Sequence, residues 1–167
     1  MSVCFTVHGI AAPQGSKTRT RYGGIREDNP RTKPWRAAVS AEAAAIMVGR
    51  ELLSGPVQVK VEFVFPRPKA HFGTGRNAGS LKASAPSYVS TTPDLDKLAR
   101  ALGDALKGIV LRDDSQIAWL NIWKVYGEPA CARVEVAEME AALRSDSKTL
   151  IAHEARKRGT RHEGVAA

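Results

Sequence analysis

Val57, Val59, Val61, Phe63 and Phe65 alternate with Gln58, Lys60 and Glu62, a period of two that predicts a half-buried strand. Near the middle of the chain the period changes. Leu95, Leu98, Ala99, Leu102, Ala105 and Leu106 recur at helical spacing and close one apolar arc. At about 100° per residue, Asp96, Lys97, Arg100, Gly103, Asp104 and Lys107 fall on the opposite arc. Lys107 and Gly108 read as the stop of this helix. Apolar, β-rich runs predict further strands over 3–8, 109–112, 116–126 and 131–136. An alanine-rich stretch over 35–50, with Pro34 at its start, predicts another helix.

Between these elements lie two long connections. Residues 9–33 read as an irregular basic segment, and residues 67–92 as a Gly/Ser/Pro-rich loop. The order is strand, helix, strand, helix, then several strands. It predicts an α+β fold with a mixed β-sheet and helices packed on it. Which strands run parallel is left open. From Met139 the chain turns helical and then basic (Arg156, Lys157, Arg158, Arg161), so the expected organisation is one domain over 1–140 and a basic helical tail over 141–167. That tail is either additional DNA contact or disorder.

Length and composition agree with one domain: 167 residues, 43% hydrophobic, enough for a sizeable core. The net charge of +8 and a sequence pI near 9.8 favour polyanionic partners. No apolar run approaches transmembrane length, so no membrane partner is expected. Cys4 and Cys131 lie far apart in apolar runs and read as reduced core residues of a cytoplasmic protein. The four histidines are scattered, which argues against zinc.

Against this positive background, four carboxylates bracket the second helix: Asp94, Asp96, Asp113 and Asp114. Two ionised carboxylates about 4 Å apart repel by roughly 4 kcal/mol at an effective dielectric near 20. A fold keeps such a cluster when metal, neighbouring lysines or arginines, or protonation offset it. Hard oxygen donors select Mg²⁺ or Mn²⁺. The plainer reading has Asp94 capping the helix and the 113–114 pair making a turn. If Asp94 stands in extended chain just before the helix, it points the same way as Asp96, roughly 7 Å along the backbone. Asp104 is about 12 Å further along the helix, too far to share a metal, and is expected to pair with Arg100. Adjacent residues face opposite sides, so one of Asp113 and Asp114 should face the Asp94/Asp96 site; both are candidate ligands. Gly103 on the polar arc allows close approach by DNA or a partner subunit, or is merely tolerated there.

Candidate DNA contacts are Lys17, Arg19 and Arg21 in the first connection, with Tyr22 available for stacking. Lys69 and Arg76, with His71 and Lys82, lie in the second, which is expected to order against DNA. Lys124 either orients phosphate or is an exposed strand residue.

The run Pro-Asp-Leu-Asp-Lys-Leu-Ala-Arg-Ala-Leu-Gly-Asp-Ala-Leu-Lys-Gly, continuing to Asp-Asp-Ser-Gln-Ile at 113–117, resembles the signature of RusA-type Holliday junction resolvases. That family often reads Pro-Asp-x-Asp-Asn-Leu-x-Lys, then Asp-Ala-Leu-x-Gly, then Asp-Asp-x-Gln. Gly9 with Pro13 to Lys17 is similar to the amino-terminal part of phage-encoded members, and the likeness covers roughly residues 5–138. It implies a RusA-like fold and a homodimeric, Mg²⁺-dependent endonuclease making paired nicks across a four-way DNA junction. It places the catalytic carboxylates on Asp94, Asp96 and Asp114, and a further helix acid on Asp104. Two positions depart from the pattern: Lys97 stands for the usual Asn, and Arg100 for the usual Lys. Arg100 can bind phosphate but not transfer a proton, so Lys97 or Arg100 takes the basic role. Two rivals stand beside this reading. A PD-(D/E)xK-type nuclease would want Lys where Gln116 stands, two positions after Asp114. A non-catalytic branched-DNA binder would keep the carboxylates for structure alone.

Overall fold

A computed structural model describes residues 1–15, 17–19, 25–27 and 29–139. Four strands form one mixed sheet: β1 (Ser2–His8), β4 (Val57–Phe65), β5 (Ile117–Tyr126) and β6 (Cys131–Glu138). Their order is β1-β6-β4-β5, with β4 and β5 parallel and the other pairs antiparallel. Two helices, α1 (Thr32–Met47) and α2 (Leu95–Leu106), cover one face. This is the single α+β domain with a mixed sheet that the periodicities imply. The parallel β4–β5 pair needs a long crossover, and α2 lies within it.

The pleat explains the two faces. Val57, Val59, Val61 and Phe63 are buried, and their β6 neighbours on that face, Ala132, Val134 and Val136, are buried too. Trp35, Val39, Ala43 and Met47 pack from α1, and Leu98, Ala101, Leu102, Ala105 and Leu106 from α2. The Trp35 and Phe63 rings meet with centroids 6.2 Å apart. The opposite face carries cross-strand charge: Lys60 pairs with Glu135 at 3.9 Å, and Glu62 takes Arg133 together with the Trp123 indole N–H.

Several expectations need correction. The first connection is not irregular throughout: β2 (Lys17–Arg19) and β3 (Ile25–Glu27) form an antiparallel hairpin. Helix α1 starts at Thr32, three residues earlier than expected, because Pro34 falls in the first turn where its missing N–H costs nothing. The buried Thr32 hydroxyl donates to the Pro13 carbonyl at 2.6 Å and fixes that start. Residues 109–112 are a turn with isolated bridges, not a strand, since Val110 and Leu111 both return to the Leu106 carbonyl. Cys131 is buried as expected, but Cys4 points to the exposed face of β1. The loop over 67–92 carries its own order. It has 3-10 turns at Lys69–His71 and Gly75–Asn77, and a bridge between Tyr88 and Val125. The expected tail over 141–167 lies outside the described residues.

Candidate carboxylate site and nucleic-acid interface

Asp94 is the N-cap of α2 and has extended backbone (φ −69, ψ 139), as its place before the helix suggested. Its carboxylate does not cap the helix. It turns to Lys97, whose Nζ lies 2.8 Å away. That hydrogen bond and charge hold Asp94 below the usual carboxylate range, with Lys124 adding to the effect. The Lys97 ammonium is correspondingly pushed up by Asp94 and, more weakly, by Asp96. Asp96 sits exposed in the first turn, where the helix dipole favours an anion. Asp94, Asp96 and Lys97 therefore form one exposed group at the head of α2.

Behind it, Lys124 is 9% exposed and donates to the carbonyls of Thr91 (2.6 Å) and Pro93 (2.7 Å). It is thus neither an exposed strand residue nor a free surface cation. Its ammonium holds the chain that leads into Asp94.

Asp113 and Asp114 form a second group at the far end of α2. Asp113 caps the 3-10 turn Asp114–Gln116, accepting from the Ser115 N–H at 3.0 Å within a capping box completed by Gln116. Lys107 pairs with Asp113 and stands 3.9 Å from Asp114. This pairing and the Ser115 hydrogen bonds pull Asp113 far below the ordinary carboxylate range, and Asp113 raises Lys107 in turn. Asp114 packs beside Gly103: a Cβ there would lie 3.7 Å from the Asp114 Cβ, an ordinary contact. The close neighbour of Gly103 is therefore this turn of its own chain.

Asp104 does not pair with Arg100. It reaches Arg36 of α1 at 3.5 Å, since α1 packs along that side of α2. Arg100 is exposed and makes no salt bridge among the described residues. Sequence reasoning passed over two residues that matter here. Lys107 was read only as a helix stop, although a lysine in that position, six residues before an acidic pair, is a signal in itself. Gln116 pins the 113–116 turn to the segment that leads into β4. Its side chain accepts from the N–H groups of Arg112 and Asp113 and donates to the carbonyls of Leu53 and Gly55.

Among the described residues no three His, Cys, Asp or Glu side chains gather into a metal-holding group. The joint grip of Asp94, Asp96 and Asp114 on one ion is therefore not seen among the described residues; Asp114 lies beside Gly103, about two turns along α2 from Asp96. A Mg²⁺ cage is not required, however. That ion is commonly held by one or two carboxylates, with waters and substrate phosphates completing its shell. The exposed, all-oxygen pair Asp94/Asp96 fits that mode.

Lys69 and Arg76 are exposed on the 3-10 turns of the second connection. Nearby, Arg67 lies over the Tyr126 ring at 5.5 Å and His71 meets its edge at 4.7 Å. Lys17 and Arg19 lie on β2, and Arg21 falls outside the described residues. Among the described residues no helix is long and apolar enough to cross a membrane.

The domain is basic and α+β, and it exposes carboxylates at the head of α2. The family described as Endodeoxyribonuclease RusA matches residues 10–137, and the chain belongs to it. Membership makes it an endodeoxyribonuclease, a hydrolase acting on DNA, in a family of Holliday junction resolving enzymes that bind branched DNA and generally need a divalent metal. The chain is also similar to an uncharacterized protein of Bacillus subtilis (strain 168), YqaN. The two are 28% identical over 141 residues, 82% of this chain and 96% of that protein.

Proposed function

We propose that the protein is a Mg²⁺-dependent endonuclease that resolves four-way DNA junctions by paired symmetric nicks, with Mn²⁺ as a working substitute. The observation that carries this reading is the exposed Asp94–Asp96–Lys97 group at the head of α2, inside the segment matched by the family. When bound, Mg²⁺ supplies a nucleophilic water near neutral pH and offsets charge on the scissile phosphate. Asp94 and Asp96 are the residues that would hold it. Lys97, paired with Asp94 at 2.8 Å, favours the ionised form of Asp94 and stands ready for a phosphate. Arg100, one turn further along, contacts the strand as a planar fork. Asp114 and Asp113, held by Lys107, line the path of the DNA along α2.

A homodimer supplies two such sites, matching the two-fold symmetry of a junction. The supporting feature is the outer edge of β5. Ser87 and Val89 cover its last residues through hydrogen bonds to Tyr126 and Lys124. Residues 117–123 keep no strand partner on that side among the described residues and contain no charge, with Trp119 and Leu120 over 40% exposed. An uncharged edge meets its own symmetry copy without like charges opposing each other.

Junction, flap and duplex substrates incubated with Mg²⁺, with Mn²⁺ and with chelator test this reading. Symmetric cutting of the junction alone, only with metal, is expected, and Asp94→Asn should cut at least 100-fold more slowly while still shifting the junction on a gel. Wild-type cutting by that variant would remove Asp94 from the site. Absence of cutting in every substrate would leave a DNA-binding protein.

A further inference from the structure

A cavity of about 390 Å³ opens beside Asp94 and Lys97, within the size range of small-molecule pockets, about 300–1,000 Å³. The loop after β1, the lead-in to α1, the end of β4 and the head of α2 build it together. Its lining combines apolar Ile10, Pro13 and Phe65 with charged Arg31, Asp94 and Lys97. Both helices begin here. Arg31 is the N-cap of α1 and Asp94 that of α2, and neither side chain caps its helix. Asp94 is engaged by Lys97 instead, so the amide end of α2 is left for another acceptor. Arg31, Lys97 and the head of α2 favour an anion, whereas Ile10, Pro13 and Phe65 offer contact to a flat, apolar ring.

An anion joined to a flat ring is a nucleotide. A base stacked in a duplex cannot reach a concave site, so it must first leave the stack. We propose that this cavity receives one unstacked nucleotide of the strand to be cut. Its base lies against Ile10, Pro13 and Phe65, and its phosphate lies toward Arg31 and the head of α2. The inference rests on the nuclease reading and adds what positions the strand: the seated nucleotide fixes which phosphate stands over Asp94 and Asp96. The centre of a four-way junction, where bases unstack most readily, would enter this site at least cost.

The test uses the full-length protein in chelator, which permits binding without cutting, and junctions carrying 2-aminopurine at successive positions around the crossover. Fluorescence should rise several-fold on binding at one position adjacent to the cut and stay near the free-DNA level elsewhere. Ile10→Glu, at a residue 48% exposed, should keep the wild-type unfolding temperature, abolish the rise and slow cutting in Mg²⁺ at least tenfold. Val48→Glu, at the other end of α1 and 80% exposed, should match wild type in both assays. If junctions are bound and cut but no position brightens, or Ile10→Glu cuts at the wild-type rate, the cavity does not hold a nucleotide and the nuclease reading stands. If no DNA is cut with any metal, the nuclease reading fails and this inference with it. An excess of a free mononucleotide that abolishes the rise while the junction stays bound locates the same site; a rise that survives it, together with Ile10→Glu retaining the rise, overturns the assignment.

Discussion

Lys124 donates to the Thr91 and Pro93 carbonyls, and Asp94 follows directly in the chain. Replacing it by Met should leave both carbonyls unpaired at a cost of about 1–3 kcal/mol and slow cutting. The salt dependence of junction binding should stay unchanged, because a lysine that touched phosphate would instead lower the slope by about 1. Denaturant melts and binding at several salt concentrations separate the two roles. Lys107 invites a titration. Asp113 is depressed in the folded state, so its contribution to stability is complete above the ordinary carboxylate value, about 4, and is lost as the pH falls through its folded value. Lys107→Gln should move the Asp113 midpoint upward, which carboxyl NMR reads directly; an unmoved midpoint would mean that Ser115 alone sets it. Neither role was readable from residue type. Basic residues on a strand or at a helix end look alike in sequence whether they hold carbonyls, carboxylates or phosphates.

At the scale of elements, α2 was legible almost to its ends because its apolar arc repeats over three turns. The strand Val57–Phe65 was legible for the same reason, its alternation being unbroken. A turn at Asp113–Asp114 was anticipated, but its extension to Gln116 and the anchor that residue provides were not. Gln116 reaches the carbonyls of Leu53 and Gly55, more than sixty residues away, and no local pattern encodes that contact. Gln116→Ala should cost about 1 kcal/mol in urea unfolding, since it strands part-buried backbone groups. It should also raise the KM for junction if the 113–116 turn lines the DNA path. The partner of Asp104 was misjudged similarly. Spacing along one helix offered Arg100, whereas the packing of α1 brought Arg36 closer. Of this arrangement, the extended backbone of Asp94 just ahead of α2 was foreseen. The separation of the two acidic groups was not, because it depends on how the chain returns after Gly108.

For the whole molecule, the proposed homodimer is tested at the β5 edge. Leu120→Lys puts a charge at the centre of the uncharged stretch, where a two-fold interface would set it against its own copy. Light scattering should report a monomer for this variant and a dimer for wild type, with paired nicks replaced by single ones. A dimeric Leu120→Lys protein would place the interface elsewhere. The position of β6 bears on how the molecule is made. This strand sits between β1 and β4, yet it is the last of the four to leave the ribosome. Until residues 131–138 emerge, β1 has no strand to pair with, whereas β4, β5 and the two helices can already assemble as a unit. A nascent chain stalled before Cys131 should therefore hold the head of α2 in place while its amino-terminal strand stays accessible to protease. Release of a few more residues would close the sheet around β6 in a single late step.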